Sequence, residues 1–227
     1  MINKNLKKRI FTSITLLILT LLIIKYNVAL VYVLLVFGVV SLLEFMSLIN
    51  KIKLNKFYSL ISSIFFTVYL FLFCSIFFLL SNFLQLKIII FILLLGCIAS
   101  DIGGFIFGKI FKGPKLTRIS PNKTYAGALG SIILTIAVLS CAIYFFTNNL
   151  SYVVIIIAII TSIACQIGDL FFSFLKRKAK IKDTGNFLPG HGGILDRLDG
   201  IFLGIPFGFI SFISNPTMFE LVIPLFT

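Results

Sequence analysis

Long apolar runs are the feature that most limits how this chain can fold. Hydrophobic residues make up 59% of its 227 positions, a larger share than soluble domains carry. A helix needs about 17 to 25 apolar residues to cross a bilayer. We therefore predict an all-α polytopic integral membrane bundle of about seven transmembrane helices, within a range of six to nine. The runs lie at approximately 10–25, 28–49, 57–83, 86–108, 124–147, 151–175 and 199–226.

Basic residues predict the orientation of these helices. All but two of the 20 Lys and Arg residues lie in the N-terminal tail or after the second, fourth and sixth runs. Because cytoplasmic loops are enriched in Lys and Arg, we expect a cytoplasmic N-terminus and two cytoplasmic polar loops, 108–124 and 176–198. The first run has no small-residue cleavage site after it, so we expect a retained helix rather than a removed signal peptide.

The net charge of +13 fits the same interpretation. No soluble basic face with stacking aromatic residues is evident, so we expect contact with anionic membrane lipids and not with nucleic acid. We expect a multi-pass protein of the inner (cytoplasmic) membrane. We divide it into N-terminal transmembrane helices at 1–85 and a region at 86–227 that carries both polar loops.

Acidic residues within apolar sequence are the first functional candidates. A carboxylate at bilayer depth costs several kcal/mol and usually faces the interior of the bundle. Asp101 and Asp169 lie in or near the cytoplasmic ends of apolar runs. Glu44 has no evident partner, and we expect it to end its span facing lipid headgroups. We expect Glu220 to be a surface acid.

Helical spacing groups several of these polar residues. Asp169, Ser173 and Lys176 follow one another at intervals of four and three, so they share one helix face. Asp196 and Asp199 are three apart at the start of the last run. If the two helix ends meet, Asp169, Asp196 and Asp199 form a carboxylate cluster that requires a cation. Oxygen ligands of this kind favour Mg²⁺.

Each polar loop also has features of an anion site. His191 is flanked by Gly190, Gly192 and Gly193, where missing side chains let backbone amides approach a phosphate. In the other loop, Ser120–Thr124 precedes a helix, and Lys123 adds charge at that N-terminus. The alternatives are an ordinary loop histidine and a loop that binds lipid headgroups. For Asp183, the alternative is a solvated acid that neutralises Lys182.

With these residues in view, 173–199 resembles the signature of the phosphatidate cytidylyltransferases. The pattern is Ser, x, apolar, Lys-Arg, four residues, Lys-Asp, x, small, two residues, Leu-Pro, x, His-Gly-Gly, two residues, Asp-Arg, x, Asp. The upstream segment SDIGGFIFGKIFKGPKLTRISPNKTYAG is similar to a second segment of the family. The signature positions are filled by Ser173, Lys176, Arg177, Lys182, Asp183, Gly185, Leu188, Pro189, His191, Gly192, Gly193, Asp196, Arg197 and Asp199.

The resemblance implies a Mg²⁺-dependent enzyme that uses CTP and phosphatidic acid to make CDP-diacylglycerol and pyrophosphate. We expect Asp169 and Asp196 to bind the metal, with Asp199 as a further or supporting ligand. The residues expected to contact or orient the phosphates are Ser120, Lys123, Thr124, Ser173, Lys176, Arg177, Lys182, Asp183, His191, Gly192, Gly193 and Arg197.

One departure from the family and two other functions stay open. The family usually has Glu just before the Gly that follows Lys-Thr, whereas this chain has Ala126, which cannot bind a cation. A CTP-dependent lipid kinase of the dolichol-kinase type has similar requirements, and a transporter would also bury Asp. Carriers, however, place polar residues across the bilayer depth, whereas here they lie at one end. The oligomeric state is open, with a homodimer among the options.

Overall fold

The computed structural model describes residues 4–52, 55–117, 119–187 and 192–217. Within these residues the chain is helical, and its β-structure is limited to isolated bridges such as Lys115 to Thr124. The helices are α1 (Lys4–Lys25), α2 (Asn27–Lys51), α3 (Lys56–Ser81), α4 (Leu84–Phe111), α5 (Tyr125–Thr147), α6 (Tyr152–Lys178), α7 (Leu195–Leu198) and α8 (Ile201–Ile213).

The all-α membrane fold predicted from the apolar runs is confirmed. In the described part of the chain, α2 to α6 are each long and apolar enough to cross a membrane. Helices α1 and α8 are apolar as well, so each of the seven predicted runs contains a helix. Large apolar side chains are turned outward, as lipid contact requires: Phe65 and Phe71 are 74% and 70% exposed. Helix α7 is a single turn inside the predicted loop 176–198.

The described residues fall into two compact units. The first unit contains Met1–Phe83 and Leu175–Leu198, so the second polar loop is grouped with the N-terminal helices. The second unit contains Leu84–Phe174 and Asp199–Thr227, which includes the first polar loop. The predicted division of the chain near residue 85 stays a prediction.

In the second unit, small residues allow α4 and α5 to pack closely. A Cβ atom added to Gly103 would fall 2.5 Å from the carbonyl oxygen of Gly130, and one added to Gly130 would overlap the side chain of Phe107. Small residues are typical of helix interfaces in membranes, where backbone approach and van der Waals contact drive association. This packing fixes the end of α4 and the start of α5, which flank the first polar loop.

Polar contacts add α6 to this pair of helices. The hydroxyl groups of Ser100 on α4 and Ser162 on α6 are 3.0 Å apart, and the Ser131 hydroxyl on α5 donates to the Ser100 carbonyl at 2.7 Å. The Gln166 amide on α6 donates to the Ala128 carbonyl on α5 at 3.3 Å. Interhelical hydrogen bonds of this kind satisfy polar groups that lipid cannot.

We predict that Gly130→Ala lowers the free energy of unfolding by about 1–3 kcal/mol, because the new methyl group overpacks the α4–α5 interface. Gly38→Ala is the matched control, since a Cβ atom there would lie 3.6 Å from Leu70 and Cys74, an ordinary contact distance. Thermal unfolding in detergent micelles measures both variants. Equal midpoints for the two would contradict the packing argument.

Candidate functional site

The first polar loop ends in a well-defined helix start. Thr124 is the N-cap of α5, and its hydroxyl accepts from the Gly127 N–H at 3.1 Å. The Lys123 N–H donates to the Ser120 carbonyl at 3.0 Å, which closes a turn over Ser120–Lys123. Capping therefore fixes the direction in which Lys123 leaves the helix N-terminus. The helix begins where the sequence predicts.

Lys123 forms an ion pair with Asp169 of α6 in the second unit. The ammonium nitrogen lies 3.1 Å from Oδ2, and the two side chains are 30% and 20% exposed. The sequence predicts a phosphate contact for this lysine and a metal ligand for this aspartate. The structure brings the two residues together.

Two glycines bring the Asp199–Gly200 segment against α6 beside this pair. A Cβ atom on Gly200 would lie 2.8 Å from Oδ1 of Asp169, and one on Gly168 would overlap the Asp199 carbonyl. The Asp199 carboxylate itself accepts from the Gly200 N–H at 3.1 Å. Asp169 and Asp199 thus belong to one neighbourhood of the second unit, together with Lys123.

The second ion pair, in the first unit, joins Lys176 to Asp196. The ammonium nitrogen lies 2.8 Å from Oδ1, and the side chains are only 12% and 7% exposed. The other oxygen, Oδ2, accepts from the N–H groups of Thr184 at 2.8 Å and Gly193 at 3.1 Å. Asp196 therefore binds the backbone amides of Thr184 and Gly193 and the Lys176 ammonium at the same time.

These contacts keep Asp196 ionised. Burial by itself would raise its pKa, but the hydrogen bond from Lys176, the Thr184 and Gly193 amides and the positive charge of Lys176 together lower the pKa below its ordinary value. The Lys176 ammonium therefore faces a carboxylate that is charged at neutral pH. The pair is a mostly buried arrangement of two opposite charges.

The prediction for Glu44 is wrong. Its carboxylate does not face lipid headgroups: the residue is 8% exposed. It accepts hydrogen bonds from the Thr184 hydroxyl at 3.0 Å and from the N–H groups of Ile194 and Leu195 at 3.2 and 2.9 Å. The prediction failed because the partners lie about 140 to 150 residues away and are mostly backbone groups, which leave no mark in the sequence. The only available signal was the cost of burying an acid in an apolar helix.

The other predicted residues are placed as follows. Ser173 is half-buried on α6, and Ser120 is half-buried before α5, whereas Arg177, Lys182, Asp183 and Arg197 are exposed. Gly192 has φ of +86°, a backbone conformation that favours glycine. The predictions for Leu188, Pro189, Gly190, His191 and Glu220 fall outside the described residues.

The acidic residues fit a metal ion only in part. In the described residues, no group of three or more His, Cys, Asp or Glu residues that could hold a metal is found. Mg²⁺ needs fewer protein ligands, since it is usually bound by one or two carboxylates with water and phosphate oxygens. Asp169 and Asp199 are neighbours in the second unit, but Asp169 pairs with Lys123 and Asp199 accepts from the Gly200 N–H. Both oxygens of Asp196 likewise accept hydrogen bonds. The joint site of Asp169, Asp196 and Asp199 stays a prediction.

Taken together, these features define a class of protein. It is a multi-pass helical membrane protein with two lysine–aspartate ion pairs among the described residues of its polar regions. Comparison with known sequences gives the family. A sequence model of the Cytidylyltransferase family matches residues 2–214, and the chain belongs to that family.

Several curated relatives are phosphatidate cytidylyltransferases. The protein from Rickettsia felis is 45% identical over 127 residues, 51% of this chain and 55% of the relative. Those from Mycobacterium leprae and Helicobacter pylori are each 39% identical, over 113 and 112 residues. These matches cover 49% of this chain, and 36% and 42% of the respective relatives. The chain thus spans about half the length, or less, of the curated relatives it matches.

We predict that Lys176→Met destabilises the protein more than Lys123→Met, which is its matched comparison. Breaking a buried ion pair costs about 3–5 kcal/mol because a charge is left uncompensated, whereas more exposed pairs contribute about 0–1 kcal/mol. The Lys176–Asp196 pair is the more buried of the two. Chemical denaturation in mixed micelles measures the difference, and equal losses would contradict it.

Proposed function

We propose that this protein transfers CMP from CTP to phosphatidic acid, giving CDP-diacylglycerol and pyrophosphate. The observation that carries the proposal is the signature 173–199, in which Lys176 and Asp196 form a buried ion pair. Membership of the Cytidylyltransferase family and the names of the relatives support the same reaction. The substrates would be CTP and a membrane lipid, met at the cytoplasmic face of the inner membrane.

The proposed reaction needs little acid–base chemistry. An oxygen of the lipid phosphate, already ionised at neutral pH, attacks the α-phosphorus of CTP. A new P–O bond forms, the bond from the α-phosphorus to the bridging oxygen breaks, and pyrophosphate leaves with that electron pair. The main obstacle is repulsion between two polyanions, so catalysis depends on fixed positive charge and on positioning.

Two lysines are candidates for that positive charge. Lys123 lies directly before the N-terminus of α5, where the helix dipole also favours negative charge such as that of a phosphate. Lys176 lies in the last turn of α6 with Arg177 and Lys178. Each ammonium is oriented by an aspartate, so its position is set before a phosphate arrives. Ser173, His191 and the glycines at 192 and 193 would add hydrogen-bond donors.

Magnesium is part of the proposal, with Asp169 and Asp196 as its predicted ligands and Asp199 as a further or supporting ligand. A bound Mg²⁺ would neutralise charge on the nucleotide phosphates. Asp183 would orient Lys182 or Arg177, and Arg197 would contribute charge beside Asp196. The Ala126 side chain, in the first turn of α5, has no group to offer.

The position of the label in CTP tests the reaction. With purified protein, phosphatidic acid and Mg²⁺, we expect ³²P from the α-position of CTP to enter the lipid, while ³²P from the γ-position appears in pyrophosphate. A CTP-dependent lipid kinase would instead place the γ-label in a lipid supplied as its alcohol. If folded protein labels no lipid from either α- or γ-labelled CTP, the enzyme proposal is refuted. A transporter would give that result.

We predict that Asp169→Asn and Asp196→Asn each lower turnover by orders of magnitude, because each removes a negative charge that holds a lysine or a metal. Membrane insertion, measured by the amount of protein extracted from membranes, should stay normal. Lys51→Gln, which removes an exposed charge at the end of α2, is the control and should keep turnover unchanged. Near-normal turnover by either aspartate variant would refute its assigned role.

A further inference from the structure

Glu44 is a buried carboxylate that the proposed reaction does not use. It belongs to the buried face of α2, where Ser41, Phe45 and Leu48 are 0%, 4% and 1% exposed. Phe45 stacks on Phe66 of α3 with ring centroids 4.0 Å apart, which fixes this part of α2. No described Lys or Arg forms a salt bridge with Glu44. Among the described residues, its side-chain oxygens instead accept three hydrogen bonds, from Thr184, Ile194 and Leu195.

The space for this carboxylate is provided by two glycines. A Cβ atom on Gly185 would overlap Oε1 of Glu44, and one on Gly193 would overlap Oε2. A side chain at either position would displace the Glu44 carboxylate, so glycine at both positions is needed for this contact. Two donors are the N–H groups of Ile194 and Leu195 at the start of α7, where helical N–H groups lack partners within the helix.

The same loop residues bind both Glu44 and Asp196. Thr184 donates its hydroxyl to Glu44 and its N–H to Asp196. Gly193 makes room for Glu44 and donates its N–H to Asp196. Asp196 in turn accepts from Lys176 at 2.8 Å. A continuous series of contacts therefore leads from α2 to the Lys176 ammonium.

We propose that Glu44 is a positioning residue that holds Thr184, Ile194 and Leu195 against α2 and thereby sets the positions of Asp196 and Lys176. Its carboxylate supplies two acceptor oxygens for three donors, a task that a neutral amide cannot perform because one of its two ends is a donor. The effect on turnover rests on the proposed function. The effect on the loop does not, and it can be measured without any substrate.

The test compares Glu44→Gln with the wild-type chain by hydrogen–deuterium exchange in nanodiscs. We expect exchange in peptides covering 184–198 to rise about tenfold, because the loss of buried hydrogen bonds makes local opening of this region more frequent. Peptides from α5 should exchange at the wild-type rate. Equal acceleration in both regions would mean a general loss of stability and would overturn the proposal, as would unchanged exchange at 184–198.

A second pair of variants keeps the proposal testable if Glu44→Gln does not fold. Thr184→Val removes one donor to Glu44, whereas Thr184→Ser retains the hydroxyl and is the matched control. We expect faster exchange at 184–198 for the valine variant and near-wild-type exchange for the serine variant. Identical behaviour of the two would overturn the role of this hydrogen bond.

Turnover separates the proposal from the proposed function. If wild-type protein labels lipid, we expect kcat to fall about tenfold in Glu44→Gln and Thr184→Val. The Thr184→Ser variant should keep a kcat near that of the wild type. Faster loop exchange with unchanged kcat would overturn the positioning of Lys176. If the wild type labels no lipid, the proposed function fails, while the exchange measurements still decide whether Glu44 holds the loop.

Discussion

Pairing of buried carboxylates with donors from the protein is the interaction on which the polar part of this structure depends. An acid removed from water is tolerated only when hydrogen bonds or opposite charges replace its hydration. Asp169 and Asp196 each meet this requirement with a lysine, and Asp196 adds two backbone amides. Glu44 meets it with one hydroxyl and two amides. Each of these contacts also fixes the position of its donor group, so pairing the acids orders the loop residues that donate to them.

The two lysine–aspartate pairs fix the positions of two positive charges in a chain rich in apolar residues, as the proposed phosphate chemistry would need. A lysine alone on a loop is mobile, and holding its long side chain in one position costs entropy. When the lysine pairs with an aspartate, this entropy is lost during folding and not when a phosphate binds. The Lys123 pair depends on α5 starting at Tyr125 and on α4–α5 packing. The Lys176 pair depends on the loop that Glu44 holds. Each pair is thus supported by its own set of small residues.

Much of the fold was predictable because a bilayer imposes strong demands on sequence. Backbone groups in lipid must be satisfied within a helix, so apolar runs of sufficient length predict helices directly. The seven runs all contain helices, and α5 begins directly after the segment Ser120–Thr124, which the sequence places before a helix. For the candidate site, the spacing of Asp169 and Lys176 on α6 and the signature that includes Asp196 indicated the polar residues. Which of them pair with one another was not predictable, since ion pairs across 20 or 46 residues depend on tertiary packing.

The sequence by itself determined the class of this protein: a multi-pass helical membrane protein with two polar loops and the signature of its family. Hydrophobicity and motif spacing are local properties, and they can be read without a structure. Only the tertiary structure decided that Lys123 pairs with Asp169, that Lys176 pairs with Asp196, and that Glu44 of α2 binds Thr184 of the second polar loop. The reason is physical. A carboxylate far away in the chain is bound mostly by backbone amides, which every residue except proline carries, so their choice depends on packing and not on residue type.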